Sequence, residues 1–287
     1  MLPTVQLPAT IAAVFAVLWG ALWGSFLNVV VYRVPAGRSV VHPRSSCPQC
    51  GAQITWWQNV PVLSWALLGG RCFGCKCWIP VRYPLVEATC ALLSLAVAWP
   101  WLPGWTTGEL TLAEAVGGIL CEQLFVFALL AIALIDADTF LVPDALSLPL
   151  PIIGLGLAFL LGPLRQVPWQ QAATGALAGG GGLLVVQWLY ATLSRREGLG
   201  TGDIKLLAGI GAFLGLKALP AVLLGAAVQG LLFVAGWALL ARGKLTSDRG
   251  LASIRHLALP FGPFLALAAV QWLFLQRILA RSLALWW

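Results

Sequence analysis

Eight stretches of mostly apolar residues, at about 9–31, 85–101, 113–135, 145–162, 172–193, 204–218, 219–241 and 260–280, constrain this chain more than any other feature. A helix of about 20 apolar residues crosses about 30 Å of hydrocarbon. Lipid offers no partner for an open backbone, so each run closes its hydrogen bonds within itself. The pattern predicts an all-α polytopic membrane protein with about eight transmembrane helices. The sixth and seventh runs abut at Lys217 to Pro220, where a short span or a re-entrant pair is the alternative. No Lys or Arg precedes the first run, and it is too long for the apolar core of a secretory signal, so it is expected to remain as a helix.

Composition agrees. Apolar residues make up 60% of the 287 and charged residues 9%, whereas an average soluble domain is about a quarter charged. The net charge of +7 raises a nucleic-acid reading, which would need a basic face interleaved with exposed aromatics. Instead, Trp56, Trp57, Trp99, Trp101, Trp105, Trp286 and Trp287 stand near the ends of apolar runs, where an amphipathic ring prefers the headgroup zone. The bilayer is the expected partner and nucleic acid is not.

Orientation follows from the basic residues. With the N-terminus outside, the inner segments hold Arg33, Arg38, Arg44, Arg71, Lys76, Arg82, Arg195, Arg196, Lys205, Arg242, Lys244, Arg249 and Arg255, which is 13 of the 17 Lys and Arg residues. Arg165, Lys217, Arg277 and Arg281 remain outside. The long hydrophilic loop, about 32–84, is therefore cytoplasmic and basic, suited to anionic headgroups. The run Gly179 to Gly182 inside the fifth span reads as close helix packing, since no Lys-Ser or Lys-Thr follows it to make a phosphate loop.

The loop carries Cys47-Pro-Gln-Cys50-Gly and Cys72-Phe-Gly-Cys75, with 21 residues between the pairs. Two such turns bring four thiolates to the corners of the tetrahedron that structural Zn²⁺ favours. Disulfides are the alternative, which the reducing cytoplasm disfavours. Cys77 is placed to substitute for Cys75, and that choice stays open. Cys90 and Cys121 fall inside apolar spans and read as small core residues.

Only ten acidic residues occur, and an ionisable group in a span is a functional hypothesis by default. Ile135-Asp136-Ala137-Asp138 with Val142-Pro143-Asp144 ends the third span; Gly198-Leu199-Gly200-Thr201-Gly202-Asp203 opens the sixth. By the topology both emerge on the cytoplasmic side, so Asp136 and Asp203 can meet. Two close carboxylates cannot both ionise cheaply, and the pair is then equipped for aspartyl-protease chemistry. Helix dipoles favour charge on Asp203, which opens a helix, over Asp136, which closes one. Asp144 reads as a helix N-cap, and Asp138 faces away from Asp136, to line water or bind substrate. A proton-relaying transporter would instead place acids near the bilayer midplane with broken helices.

Together these residues resemble the type IV prepilin peptidase family of bacterial inner-membrane enzymes. The matching segments are Gly24 to Val30 with Arg33, the two knuckles, Asn59-Val60-Pro61, Leu63-Ser64-Trp65, Arg71-Cys72, Arg82 to Glu87, Ile135 to Asp144, Gly200 to Leu207, and Pro260-Phe261-Gly262-Pro263. The resemblance implies an intramembrane aspartyl protease core of Gly-x-Gly-Asp type, with Asp136 and Asp203 catalytic and one zinc on Cys47, Cys50, Cys72 and Cys75. It implies removal of leaders from prepilins or pseudopilins, then methylation of the new N-terminus from S-adenosylmethionine. It divides the chain into a first helix (1–31), a zinc-knuckle loop associated with methyl transfer (32–84) and a helical peptidase domain (85–287). Asn59, Gly70, Arg71, Arg82 and Glu87 become methyl-transfer candidates, although Arg82 and Glu87 also suit a structural ion pair. Asp138, Gly200 and Gly202 are further candidates for substrate contact. Val142, where leucine is usual, and the extra Cys77 depart from the family pattern.

Overall fold

The computed structural model of the chain describes residues 6–165, 167–194, 200–240 and 259–284. Arg195, Arg196, Gly198, Leu199, Arg242, Lys244, Arg249, Arg255, Trp286 and Trp287 lie outside the described residues, as do the side chains of Arg165 and Arg281. The described elements are helices: α1 (Gln6–Arg33), α2 (Leu63–Leu67), α3 (Arg82–Ala98), α4 (Leu102–Thr107), α5 (Leu112–Thr139), α6 (Asp144–Ser147), α7 (Pro149–Arg165), α8 (Trp169–Ser194), α9 (Thr201–Leu214), α10 (Leu219–Leu240) and α11 (Gly262–Ala284). The described residues of each apolar run are mostly helical. Among the described residues, five stretches are long and apolar enough to cross a membrane: Ala9–Arg33, Leu112–Thr139, Asp144–Gly162, Trp169–Leu193 and Leu216–Leu240. Gly262–Ile278 is a shorter apolar helix. The chain divides into two compact units at Ala131/Ile132, within α5.

In the first unit, α1 packs on α3 through a pattern the sequence shows but hydropathy does not weigh. Gly20 and Gly24, four apart on α1, let the backbones touch. A Cβ on Gly20 would strike Ser94, and one on Gly24 would lie 2.6 Å from the Glu87 Cα. In lipid, where burying apolar surface does not drive helices together, small residues and interhelical hydrogen bonds hold them. Ser94 Oγ donates to the Ala16 carbonyl at 2.6 Å, Gln123 Nε2 donates to Ser94 Oγ at 2.6 Å, and Trp19 Nε1 donates to Gln123 Oε1 at 3.1 Å. Gly24→Leu is expected to push α1 off α3 and destabilise the protein by about 1–3 kcal/mol, the usual cost of overpacking. A thermal melt in detergent would measure it, and an unchanged midpoint would contradict the packing.

One expectation is corrected here. Trp101 is not the exposed ring that a place in the headgroup zone would call for. Its ring is buried against Gly118, and its indole N–H donates to Glu122 Oε2 at 3.4 Å. Trp56 and Trp99 remain exposed as expected, and Cys90 and Cys121 are buried core residues.

The second unit is built around α9. Leu206, Leu207, Ile210 and Phe213 are buried, enclosed by α7, α8, α10 and α11. The expected sixth span of 204–218 is cut short: α9 stops at Leu214 because Gly215 adopts φ +80°, ψ 170°, a conformation open essentially to glycine. At 14 residues α9 is about 21 Å long, less than the hydrocarbon thickness. Glycines make the enclosure possible, Gly175 on α8 lying against Gly211 on α9 and Gly154 on α7 against Ala212. The run Gly179 to Gly182 packs as expected only in its first half. Gly179 and Gly180 face Leu207 and Ala208, whereas Gly181 and Gly182 face open space. Between α10 and α11, Gln229 Nε2 donates to Gln271 Oε1 at 2.8 Å and Phe233 packs on Phe264.

Candidate functional site

The knuckles lie in the first unit. Each is a tight turn closed by one antiparallel bridge, Ser46 with Gln53 and Arg71 with Trp78. In the first, Cys47 N–H donates to the Ala52 carbonyl and Gly51 N–H to the Cys47 carbonyl; in the second, Cys72 N–H donates to Cys77 and Lys76 N–H to Cys72. The turns are equivalent residue for residue, so Lys76, at φ 59°, occupies the left-handed position that Gly51 fills at φ 71°. Inward-pointing amides stabilise thiolate. The N–H groups of Cys50 and then Gln49 pull the Cys47 thiol down to about 6, and those of Cys75 and Gly74 lower Cys72.

Cys47, Cys50, Cys72, Cys75 and Cys77 are not joined in disulfides in this arrangement. The sulfurs of Cys47, Cys50, Cys72 and Cys75 lie within 4.8 Å of one another, with Cys47 to Cys75 at 3.8 Å and Cys50 to Cys72 at 4.0 Å. A tetrahedron with Zn–S bonds of about 2.3 Å has edges of about 3.8 Å. The cluster is therefore sized to hold a metal ion. Cys77, equivalent to Ala52 of the first knuckle, places its sulfur 3.7 Å from that of Cys47 and lies against the same cluster.

Beside the knuckles, three segments converge on Glu87. Its Oε2 accepts the Val62 N–H at 2.7 Å, its carboxyl also bonds Ser25, and Gly24 packs on its backbone. Asn28 Nδ2 donates to the Tyr83 carbonyl at 3.2 Å. Val62 holds φ 61°, a strained conformation for a β-branched residue, so the Glu87 bond fixes a turn the chain would otherwise avoid. Gly70 is buried at φ 67°, and a Cβ there would lie 2.8 Å from the Trp65 ring. Asn59 and Arg71 are exposed, and Arg82 is half-buried.

The second unit holds both aspartates. Asp136, 5% exposed, lies in the last turn of α5. After it the chain reverses at Phe140, φ 56°, whose N–H returns to the Asp136 carbonyl at 2.8 Å. Val142 then packs against Gly202, where a Cβ would lie 2.7 Å from the valine Cβ. This contact seats the segment after α5 on the start of α9. Gly200 precedes α9, and a Cβ there would lie 3.4 Å from Asp203 Oδ2. The glycines of the Gly-x-Gly-Asp stretch thus serve close approach by chain and carboxylate.

Asp203 precedes the sixth apolar run. Burial, and then the charge of nearby Asp136, raise its carboxyl to about 6. Asp136 also accepts the Gly262 N–H on Oδ2 at 3.0 Å, from a helix that begins 126 residues later. Asp136→Asn is expected to lower the Asp203 midpoint only part of the way toward the ordinary aspartate value of about 3.9, because burial is the larger cause. An infrared titration of the carboxyl C=O band would read this, and an unmoved midpoint would place the carboxylates out of electrostatic reach.

Asp138 is exposed. Asp144 is not the helix N-cap expected of it. Pro143 occupies that position, and Asp144 Oδ1 instead accepts from Lys205 Nζ at 2.6 Å, an ion pair tying α6 to α9.

Two family models match, a bacterial peptidase A24 N-terminal domain over residues 18–101 and the type IV leader peptidase family over residues 123–235. Curated relatives named prepilin leader peptidase/N-methyltransferase include one from Aeromonas salmonicida, 39% identical over 276 residues, covering 88% of this chain and 86% of the relative. Another from Pseudomonas putida is 40% identical over 283 residues, covering 90% and 89%. The chain belongs to the prepilin leader peptidase family. No solved structure matches.

The family's N-terminal domain spans the knuckles and the Glu87 junction, and its peptidase domain spans both aspartates. Hydropathy and motif reading missed several site residues. Lys205 is visible in the sequence only as a basic residue within the matching segment Gly200 to Leu207, and Gly262 only as a member of the matching segment Pro260 to Pro263. Nothing local to either announces its partner.

Proposed function

We propose that this chain removes the leader from type IV prepilins or pseudopilins by aspartyl-protease chemistry at the cytoplasmic membrane face, then methylates the exposed N-terminal amine from S-adenosylmethionine. The observation that carries the reading is the placement of Asp203 within electrostatic reach of Asp136, in a chain about 40% identical to enzymes bearing both activities in their name. One carboxylate takes a proton from the water that attacks the scissile carbonyl. The protonated partner donates a hydrogen bond to the developing oxyanion. A prepilin's apolar helix lies among the spans while its cleavage site meets the pair.

The proposed architecture is a bacterial inner-membrane protein with a periplasmic N-terminus, about eight crossings and a Gly-x-Gly-Asp peptidase core formed by α5 and α9. Residues 1–31 form the first helix, 32–84 the methyl-transfer loop and 85–287 the peptidase domain. Cys47, Cys50, Cys72 and Cys75 would hold one structural zinc, which supplies cross-linking to a loop with little core of its own. For the methyl donor, exposed Asn59 and Arg71 have side chains free to reach a ligand, and Arg82 borders them in sequence. Glu87 and Gly70 are committed to shaping the loop. The donor supplies an electrophilic methyl group for the amine.

The test is purified protein in lipid with a synthetic prepilin and labelled S-adenosylmethionine. Release of the leader and labelling of the shortened pilin are expected. An intact prepilin would refute the peptidase reading, and an unlabelled cleaved product would refute the methyl-transfer reading.

A further inference from the structure

We infer that Gly262 is a positioning residue of the peptidase, its backbone N–H holding one oxygen of Asp136 as an acceptor and its lack of a side chain leaving that carboxylate its place. The inference rests on reading Asp136 as a peptidase residue and adds what fixes its orientation.

Gly262 is the first residue of α11, and the first N–H groups of a helix have no partner within it. The local sequence leaves one such donor for Asp136. Pro263 has no N–H, and the N–H groups of Phe264 and Leu265 both donate to the Phe261 carbonyl at 3.1 Å. Gly262 N–H donates instead to Asp136 Oδ2 at 3.0 Å, in a buried setting. The bond fixes the orientation of the Asp136 carboxyl, with Oδ2 committed to the backbone donor. The donor is itself anchored, since α11 is pinned to α10 by the Gln229–Gln271 bond and the Phe233–Phe264 contact.

Space makes the same assignment independently. A Cβ on Gly262 would lie 2.6 Å from Asp136 Oδ2, 3.2 Å from its Cγ and 3.5 Å from its Cβ, and these are its three nearest neighbours. No backbone stands in the way, and Gly262 is not among the residues with positive φ. An alanine is therefore compatible with the helix and displaces only the end of one side chain. That side chain carries the chemistry. The fold should accept the substitution while cleavage does not, which separates this glycine from Gly175 or Gly211, where backbone meets backbone.

Gly262→Ala in the full-length protein in lipid is expected to lower kcat for prepilin cleavage by about 10²-fold, the effect of displacing a catalytic group by about 1 Å. KM, the thermal unfolding midpoint and methylation of a pre-cleaved pilin should stay unchanged. Gly230→Ala on α10, whose added Cβ would meet Phe264 at an ordinary 3.8 Å, should retain full cleavage. Should Gly262→Ala fail to fold, the Gly262 amide proton resonance, compared between the native protein and Asp136→Ala, decides: a large upfield move supports the bond and an unmoved resonance overturns it. Full kcat in a folded Gly262→Ala also overturns the inference. If instead Asp136→Asn keeps full cleavage, the peptidase reading itself fails, so the two failures are distinguishable.

Discussion

Asp203→Asn and Asp136→Asn are each expected to reduce prepilin cleavage by about 10²–10⁴-fold, the contribution of a positioned acid or base, while the protein still inserts and folds. Asparagine fills the volume of aspartate but can neither take a proton from water nor deliver one. The substitution also removes one of two charges that repel each other, since Asp136 contributes to raising Asp203 to about 6. Folding should not suffer for want of either carboxylate. Because the two act as one unit, the double variant should be scarcely slower than either single variant. Leader release by reconstituted protein, read on a gel against the quantity of folded enzyme, measures this. Full activity in either single variant would remove that residue from the pair. Methylation of a pre-cleaved pilin should survive both substitutions, because the candidate methyl-transfer residues belong to the other compact unit.

The second large effect concerns the metal cluster. Purified protein is expected to hold about one zinc per chain, and Cys47→Ser or Cys72→Ser should lose it, as elemental analysis would show. The consequence should be loss of the loop's structure and of methylation, since metal binding in such a site is folding free energy. Across residues 34–81 only Cys47 and Gly70 are buried, and pairing is limited to two isolated bridges. Such a segment lacks the core to hold itself without a cross-link. Cys77→Ser should keep the ion, because Cys77 occupies the place that Ala52 holds in the first knuckle and the four remaining sulfurs already lie within 4.8 Å of one another. A metal-free protein with full methylation would contradict a structural ion.

How the site was legible differs from residue to residue. Asp136 and Asp203 stood out because acids are scarce and costly in apolar runs, and the basic-residue bias alone brought them to one side. The cysteines stood out because a knuckle is local, its turn and its ligands lying within a few residues. Asp144 misled because a proline before it took the N-cap, and its real partner, Lys205, is 61 residues away. Trp101 misled for a similar reason, since Gly118 opens a slot for its ring that no hydropathy profile registers.

The amino-acid sequence by itself determined the helical membrane class and a cysteine set able to hold a metal ion, and it singled out Asp136 and Asp203 as the candidate pair. These follow from properties each segment carries alone: its transfer free energy, its turn geometry, its ionisable groups. Only the tertiary structure decided that α9 is short and enclosed and that Asp144 pairs with Lys205. It alone brought Gly262 to Asp136. Those outcomes depend on glycines that let distant backbones touch and on donors left over at a helix end, and neither is a property of any one segment.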